Sequence, residues 1–203
     1  MPASELSKRE QVIALSKQHG AIRSKDLLRF GIPRTYLQRL REEGVLERVA
    51  RGTYRLTDFP VTEHATLVEA ARRVPQGVIC LLSALRFHEI GTQLPAEIWG
   101  AIAPKAWKPR VPELPVRFVR FSGRALADGI ERHQAEGVEL RVYSPAKTVA
   151  DCFKYRHKIG LDVALEALED CRRRRKCSVD ELWHYAGIDR VRRVMRPYME
   201  VTG

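Results

Sequence analysis

The stretch AIRSKDLLRFGIPRTYLQRLREEGVLERVARGTYRL, residues 21–56, decides the fold of the N-terminal part of the chain. Ser24 can cap a short helix whose apolar residues are Leu27, Leu28 and Phe30. Gly31 can take the left-handed conformation that ends a helix, and Pro33 suits the first position of the next one. The stretch therefore predicts short helical segments, a tight turn, a longer helix and then a β-hairpin.

The longer helix has two chemically different faces. Leu37 and Leu40, three residues apart, are predicted to hold the helix against a core, with Tyr36 at the flank. The opposite face carries polar and basic residues: Arg34, Thr35, Gln38, Arg39 and Glu42. Polar and basic side chains at the start of a helix are suited to hydrogen bonding with base edges in a DNA major groove.

After Gly44 the pattern changes from helical to alternating. VLERV and TYRL predict two strands around a turn at residues 50–53, and their basic members are Arg48, Arg51 and Arg55. Arg51, at the tip of the hairpin, can reach a phosphate or a minor groove. A helix of this kind followed by a basic hairpin predicts a winged helix-turn-helix that binds double-stranded DNA. The alternative is a helix-hairpin module that binds protein and whose arginines are merely solvated.

The composition favours a polyanionic partner. The 203 residues are 44% hydrophobic and carry a net charge of +11, with an isoelectric point near 9.9. Such an excess suits nucleic acid, an anionic membrane or an acidic protein. No apolar run approaches the roughly 20 residues of a membrane span, and the N-terminus lacks an apolar signal core. The four cysteines show no CxxC spacing and lie in apolar or helical contexts, which predicts reduced thiols in a cytoplasmic protein. We expect no membrane partner.

The predicted fold class is α+β, with a winged helix-turn-helix over residues 1–60 and a mixed α/β domain over residues 61–203. Ser7 and Glu10 have capping-box spacing at the start of a first helix, and Pro60 closes the first domain. The second domain is predicted to hold a small sheet packed by at least four amphipathic helices. Its strand candidates are residues 97–103, 116–121 and 138–144.

Two features of the second domain allow more than one interpretation, whereas Ser83 is predicted simply to cap a helix. Trp107 is predicted to anchor a proline-rich loop, with nucleic-acid contact as the alternative. The basic run RRRRK, residues 172–176, is predicted to be solvated at a helix end. Its alternative is a site for phosphate or an acidic partner.

The sequence offers no strong catalytic constellation. The GxxxxGK[ST], GxGxxG, GxSxG and HExxH patterns are missing, and the six histidines have no metal-ligand spacing. Asp151, Lys154 and Glu166 weakly suggest a nuclease carboxylate set, but Asp-x-x-Lys on a helix is more commonly a surface ion pair. We therefore predict no catalytic residues, no bound metal and no cofactor.

Three stretches in this order resemble the AbiEi antitoxins, the antitoxin half of type IV toxin–antitoxin systems linked to abortive phage infection. They are GIPRTYLQRLREEGVLERVARGTYRL, GVICLLSALRFHEIG and YSPAKTVADCFKYRHKIGLDVALEAL. The most telling pieces are Arg51-Gly52-Thr53-Tyr54, Ser83-Ala84-Leu85 with His88, and Lys147-Thr148 with Asp151-Cys152. The resemblance runs from about residue 10 to residue 200.

This resemblance implies an N-terminal domain that represses the antitoxin's own promoter and a C-terminal domain that counters a nucleotidyltransferase-like toxin. It does not imply a stable complex with that toxin. Arg34, Thr35, Gln38 and Arg39 would then read or flank bases, and the hairpin arginines would hold phosphates. We expect a monomer or weak dimer that loads cooperatively on repeated half-sites.

Two other classes stay open at this point. One is a stand-alone transcription regulator whose C-terminal domain senses a ligand or dimerises, and the other is a DNA-processing enzyme with a winged-helix head. The sequence leaves the roles of Ser83 and His88 unassigned. Lys147 and Asp151 are four residues apart and could simply pair on one helix face.

Overall fold

The computed structural model divides into two compact units, one formed mostly by residues 1–65 and the other mostly by residues 66–203. The predicted boundary near residue 60 stays a prediction, because residues 59–63 lie outside the described part of the chain. The structure describes residues 7–19, 21–50, 52–58, 64–109, 111 and 114–201.

The first unit combines helices with a small antiparallel sheet. Its elements are α1 (Lys8–His19), β1 (Ala21–Arg23), α2 (Ser24–Leu27), a 3₁₀ turn (Leu28–Phe30), α3 (Arg34–Glu42), β2 (Leu46–Ala50) and β3 (Thr53–Leu56). The strands follow the order β1-β3-β2, with β3 antiparallel to both neighbours. The predicted winged helix is confirmed, and the short strand β1 is an addition that the sequence did not predict.

The core of the first unit takes apolar side chains from the helices α1, α2 and α3, the strands β1 and β2, and the residue before Pro33, while Tyr54 and Leu56 of β3 pack against it: Val12, Ile22, Leu27, Ile32, Leu37, Leu40 and Leu46. The prediction for Leu37 and Leu40 is confirmed. Leu28 and Phe30 are 54% and 55% exposed, so their prediction as apolar cover was wrong. A 3₁₀ turn has about three residues per turn instead of 3.6, which rotates these side chains off the face that Leu27 buries.

Local signals fix the ends of the helices in this unit. The Ser7 backbone N–H donates to Glu10 Oε2 at 2.8 Å and the Glu10 N–H donates to Ser7 Oγ at 3.3 Å, so the predicted capping box is confirmed. Gly31 ends the 3₁₀ turn with φ +66°, as predicted. Pro33 lies one position before α3 instead of inside it. Ser24 starts α2 but makes no capping bond, because Arg23 occupies the cap position.

The second unit surrounds a mixed five-stranded sheet. The elements are α4 (Ala65–Arg73), β4 (Val78–Ile79), α5 (Leu81–Phe87), β5 (Ile98–Ile102), β6 (Val116–Arg120), α6 (Arg124–Ala127), β7 (Ile130–Ala135), β8 (Val138–Tyr143), α7 (Pro145–Lys154), α8 (Arg156–Ile159), α9 (Leu161–Arg173), α10 (Val179–Ile188) and α11 (Arg192–Val201).

The strand order of this sheet is β6-β5-β4-β8-β7. β4 is antiparallel to β5 and parallel to β8, and β5 is parallel to β6. All three predicted strands are present as β5, β6 and β8, so the α+β class is confirmed, and β4 and β7 are additional.

Helix α7 lies at the centre of the second unit, since every residue from Ala146 to Phe153 is buried. Its start follows the predicted Ser-Pro signal: Ser144 Oγ accepts from the Lys147 N–H at 3.4 Å, and Pro145 fills the first position. A helix that is buried all round packs against neighbours on every side. In agreement, α7 contacts α5, α9 and α10.

Two charged residues of α7 are fully buried. The side chains of Lys147 and Asp151 are 0% exposed and form a salt bridge, and Lys147 Nζ also lies 3.2 Å from Asp189 Oδ2. The ammonium group is 4.7 Å from the ring centroid of Phe121 and 4.6 Å from that of Tyr143. Lys147 and Asp151 therefore pair on one helix face, which gives these two family-resembling residues a structural role.

Ser83 and His88 also make structural hydrogen bonds. Ser83 lies inside α5 and not at its cap, and its Oγ accepts from the Trp99 N–H at 2.9 Å. The prediction of Ser83 as a cap was wrong because the extended residue Cys80 already occupies that position. His88 Nε2 lies 2.8 Å from the Tyr143 carbonyl oxygen and donates to it. Both residues join α5 to the sheet.

The basic run at residues 172–176 is engaged within the chain. Arg173 and Arg174 bind Asp170 at 2.7 and 3.3 Å, and Arg172 donates to the Met199 carbonyl at 3.3 Å. Lys176 donates to the His88 carbonyl. The run therefore complements the C-terminal end of α9, as predicted, but it is tied to neighbouring segments and not merely solvated.

The cysteines divide into two pairs. Cys80 and Cys152 are buried and free, in agreement with the predicted thiols. Cys171 and Cys177 form a disulfide, with Cα atoms 6.1 Å apart, so the prediction was wrong for this pair. The turn that ends α9, where Arg175 has φ +52°, returns the chain towards Cys171.

The loop after β5 presents Trp107 to solvent. This side chain is 87% exposed, so the prediction that it anchors the loop was wrong. Arg120 holds the loop instead, because its Nη1 donates to the carbonyls of Ala103 and Ala106 at 2.9 and 3.0 Å. Among the residues described, no helix has the length and apolar character needed to cross a membrane.

Removing the buried ammonium should destabilise the second unit. Burial is the largest cause that raises the pKa of Asp151 well above its ordinary value, while Lys147 opposes this rise. Lys147→Met leaves Asp151 without a cationic partner, while Asp189 keeps Lys154, and should lower the free energy of unfolding by about 3–5 kcal/mol at neutral pH. The folded state then holds a proton on Asp151 more readily than the unfolded state, so stability falls as pH rises.

Urea unfolding followed by circular dichroism, at about pH 7 and about pH 5, checks this. The deficit of Lys147→Met should be larger at the higher pH. The exposed Lys105 provides the control, because Lys105→Met should change stability by less than about 0.5 kcal/mol. An equal deficit at both pH values would contradict the buried-charge argument.

Candidate nucleic-acid interface

Helix α3 presents one polar, solvent-facing surface. Arg34, Thr35, Gln38 and Arg39 are all exposed, whereas Leu37 and Leu40 on the other side are 0% and 1% exposed. The core contact of the two leucines fixes the rotation of α3 about its own axis. The structure therefore brings together all four residues that the sequence proposed for base contact.

The two ends of this surface differ in their partners. Arg39 Nε lies 2.9 Å from Glu43 Oε1, and Gln38 Nε2 donates to Glu42 Oε1 at 3.3 Å. The hydrogen bond from Arg39 is the largest cause that lowers the pKa of Glu43, so Glu43 is charged at neutral pH. Within the described residues, Arg34 makes no ion pair or hydrogen bond. The first turn of α3 is thus available to a ligand, while its last turns are internally bonded.

These internal bonds cost little to exchange. Arg39 is 71% exposed and Glu43 is 32% exposed, and ion pairs of this kind contribute about 0–1 kcal/mol. A phosphate group could therefore replace Glu43 as the partner of Arg39.

The cross-strand register separates the arginines of the hairpin. Glu47 lies opposite Arg55, and Arg48 lies opposite Tyr54. Cross-strand partners share one face of a sheet, and successive residues of a strand point to opposite faces. Arg48 and Arg55 consequently lie on opposite faces of the hairpin and cannot both face one DNA backbone in the same way.

Arg55 is held within the first unit. Its side chain is 22% exposed and forms an ion pair with Glu47. Arg48 is exposed, and the third predicted arginine of the hairpin, Arg51, lies outside the described residues. The two described arginines, Arg48 and Arg55, which the sequence treated as equivalent, are therefore in different environments.

Ser24, which the sequence proposed only as a helix cap, and Thr57, which it did not single out, hold the hairpin in place. The Ser24 N–H donates to the Gly52 carbonyl at 2.9 Å, which ties the turn to the start of α2. Thr57 Oγ1 donates to the Gly44 carbonyl at 2.7 Å and the Thr57 N–H donates to the Val45 carbonyl at 3.1 Å. These bonds attach the turn of the hairpin to the start of α2 and its base to the residues that follow α3. The bonded residues are distant in sequence, so sequence reasoning could not identify them.

The carboxylates considered for a nuclease do not share a site. Asp151 is buried against Lys147, whereas Glu166 accepts hydrogen bonds from the Thr92 N–H at 3.0 Å and the Thr92 Oγ1 at 2.7 Å. In the part of the chain that the structure describes, no group of three or more His, Cys, Asp or Glu residues could hold a metal ion.

Comparison with known proteins agrees with the geometry of the first unit. The α3 helix, the hairpin after it and strand β1 define a winged-helix domain. A family model described as "Transcriptional regulator, AbiEi antitoxin" matches residues 10–57. This segment is similar to the AbiEi antitoxin family of transcriptional regulators, in agreement over residues 10–57 with the resemblance inferred from the sequence.

The whole chain has a counterpart among solved structures. Its fold is similar to that of the crystal structure of the RV2827C protein from Mycobacterium tuberculosis, with a TM-score of 0.56 and 17% sequence identity. The similarity covers 87% of this chain and 70% of that chain. At this identity the likeness shows the fold alone. No curated protein sequence matches the chain.

Two glycines with the same backbone geometry offer a matched test of the hairpin. Gly52 has φ +73° and Gly44 has φ +72°, so alanine at either position costs about 1 kcal/mol of backbone strain. A Cβ at Gly52 would lie 3.3 Å from Ser24 Oγ, whereas nothing lies within 4 Å of a Cβ at Gly44. We expect Gly52→Ala alone to weaken binding to promoter DNA, because it displaces the turn from α2.

Fluorescence anisotropy with labelled DNA measures the affinity, and urea unfolding verifies that both variants lose similar stability. Equal losses of affinity in Gly52→Ala and Gly44→Ala would show that the position of the hairpin does not matter for binding.

Proposed function

We propose that this protein is a DNA-binding transcriptional repressor that acts as the antitoxin of a type IV toxin–antitoxin system. It binds its own promoter through α3 and the hairpin β2–β3. The observation that carries this proposal is the exposed polar face of α3, held above Leu37 and Leu40 within a segment that matches a family of transcriptional regulators.

In this proposal different residues of α3 and of the hairpin contact the bases and the phosphates. Arg34, Thr35 and Gln38 lie at or near the start of the helix, where side chains enter a major groove, and they contact base edges. Arg39, Arg48 and Arg51 bind phosphates or probe the minor groove. Arg55 contributes less than the sequence suggested, because Glu47 already neutralises it.

Few phosphate contacts are available to one such unit, and the electrostatic part of DNA affinity grows with their number. A single copy therefore binds weakly and with strong salt dependence. Effective repression then requires two copies on repeated half-sites, through a weak dimer or through cooperative loading.

The second unit, in this proposal, counters a nucleotidyltransferase-like toxin. The resemblance to the antitoxins extends over α5 and α7, and these helices form the core of this unit. Ser83, His88, Lys147 and Asp151 bond to the chain itself, so the surface that opposes the toxin is formed by other residues. A stand-alone regulator with a ligand-sensing second unit is the second candidate, and the cleft described below favours it.

Base contacts and phosphate contacts should respond differently to mutation. Thr35→Ala and Gln38→Ala should reduce discrimination between promoter and random DNA by about 1–3 kcal/mol each. Arg51→Ala should weaken binding to all sequences alike and lower the slope of affinity against salt by about one. Gel shifts at two salt concentrations measure both effects. If Arg51→Ala leaves affinity and salt slope unchanged, the hairpin does not contact DNA.

Repression and neutralisation should separate genetically. The double variant Arg34→Ala/Gln38→Ala keeps the core of the first unit, because both side chains are exposed, and it should lose repression of a promoter reporter. It should still rescue cells from a nucleotidyltransferase encoded by the neighbouring gene. Co-expression of the two proteins tests this, with Lys17→Ala on the exposed face of α1 as control. Loss of rescue together with repression would show that neutralisation acts through DNA binding.

A further inference from the structure

A polar cleft of about 780 Å³ lies in the second unit, between the segment after β6 and the turn from α10 to α11. Its volume is within the range of small-molecule sites, about 300–1,000 Å³. Basic side chains from four separate segments line it: Arg124, Lys154, His184, Arg190 and Arg192. None of them belongs to the proposed DNA interface.

The positive charge of this cleft is only partly balanced by the chain, since Arg124 lies 2.9 Å from Asp128 Oδ2 and Lys154 lies 3.2 Å from Asp189 Oδ1. The carboxylate that lines it, Asp189, is 0% exposed and already binds Lys147 and Lys154. Within the described residues, Arg190 and Arg192 have no carboxylate partner. The cleft therefore holds a surplus of cations that an anion could neutralise.

The guanidinium of Arg192 is exposed and is directed by one hydrogen bond to the chain. Its Nε donates to the Trp183 carbonyl at 3.2 Å, which leaves its Nη groups to donate elsewhere. It packs closely over Gly187, where an added Cβ would lie 2.8 Å from Nη2. A cation directed in this way loses less freedom on binding, which favours affinity.

Arg190 occupies a position where glycine would be preferred. Its φ is +60°, and its N–H donates to the Gly187 carbonyl at 3.2 Å just after α10 ends. Glycine is the usual residue at this position of a helix end, because other residues pay for the left-handed conformation. The side chain of Arg190 therefore costs stability and is placed at the cleft.

We propose that this cleft binds a small ligand that carries phosphate groups, with Arg190 and Arg192 as its principal contacts. The planar guanidinium group of an arginine can donate to two phosphate oxygens at once. The cations converge on one concavity and do not form a stripe along a surface. This arrangement favours a compact ligand over the extended backbone of a nucleic acid.

Isothermal titration calorimetry on the full-length chain tests the proposal with two probes, ATP and inorganic tripolyphosphate. Saturable binding is expected. Tighter binding of ATP would assign part of the site to the nucleoside, and equal binding would assign it to the phosphate chain alone.

Two variants alter the site without removing core packing. Arg190→Gly removes the cation and relieves the left-handed strain, so stability should be kept or raised while affinity falls about tenfold or more. Gly187→Ala retains every charge but displaces the guanidinium of Arg192, and it should also weaken binding. Arg193→Ala, an exposed residue of α11 that does not line the cleft, should stay within about twofold of the original affinity.

The proposal is overturned if neither probe binds saturably at millimolar concentration, or if Arg193→Ala weakens binding as much as Arg190→Gly. Displacement of the bound probe by a short random DNA duplex would instead assign these arginines to nucleic acid and would also overturn it. All these measurements are made without promoter DNA, so they do not depend on the proposed repressor function.

Discussion

The buried ammonium of Lys147 is the interaction on which the second unit depends. Its carboxylate partners, Asp151 and Asp189, come from α7 and from the turn after α10. A buried charge is tolerated only when its partners are in place, since removal of either one leaves an uncompensated ion in an apolar interior. The sheet, α7 and α10 must therefore assemble together. The aromatic rings of Phe121 and Tyr143 enclose the ammonium from the sheet side.

The first unit depends mainly on apolar packing. Its seven buried apolar side chains set the direction of α3, and among the described residues the polar side chains of Ser16, Ser24 and Thr53 are also buried. The residues of α3 proposed for DNA contact lie on the surface and contribute to stability only through weak exposed bonds. The first unit should therefore tolerate substitutions of its surface residues, whereas the second unit should be destabilised by single substitutions of its buried charged residues.

Local signals made part of this structure predictable. The faces of α3, the turn at Gly31 and the capping box at Ser7 are set by residues close together in sequence, so the sequence alone indicates them. The predictions for Leu28 and Phe30 failed because a 3₁₀ turn changed the helical period.

Features that join distant residues could not be predicted. The pairing of Arg55 with Glu47 depends on hairpin register, and the bond from Ser24 to Gly52 depends on how the hairpin folds back. The basic cleft draws Arg124 and Arg190 from segments more than sixty positions apart. No spacing rule connects such residues, so only the assembled fold reveals them.

The attachment of the hairpin at both ends has a consequence for how this protein can diversify. Backbone carbonyls of Gly52 and Gly44 accept the bonds that hold it, so the anchoring survives exchange of most neighbouring side chains. Exposed residues of the hairpin other than Gly52 and Thr57 can then mutate without moving it. Proteins with this fold can therefore change the DNA sequence that they bind through a few surface substitutions. Related proteins in one cell can then regulate different promoters while the fold stays the same.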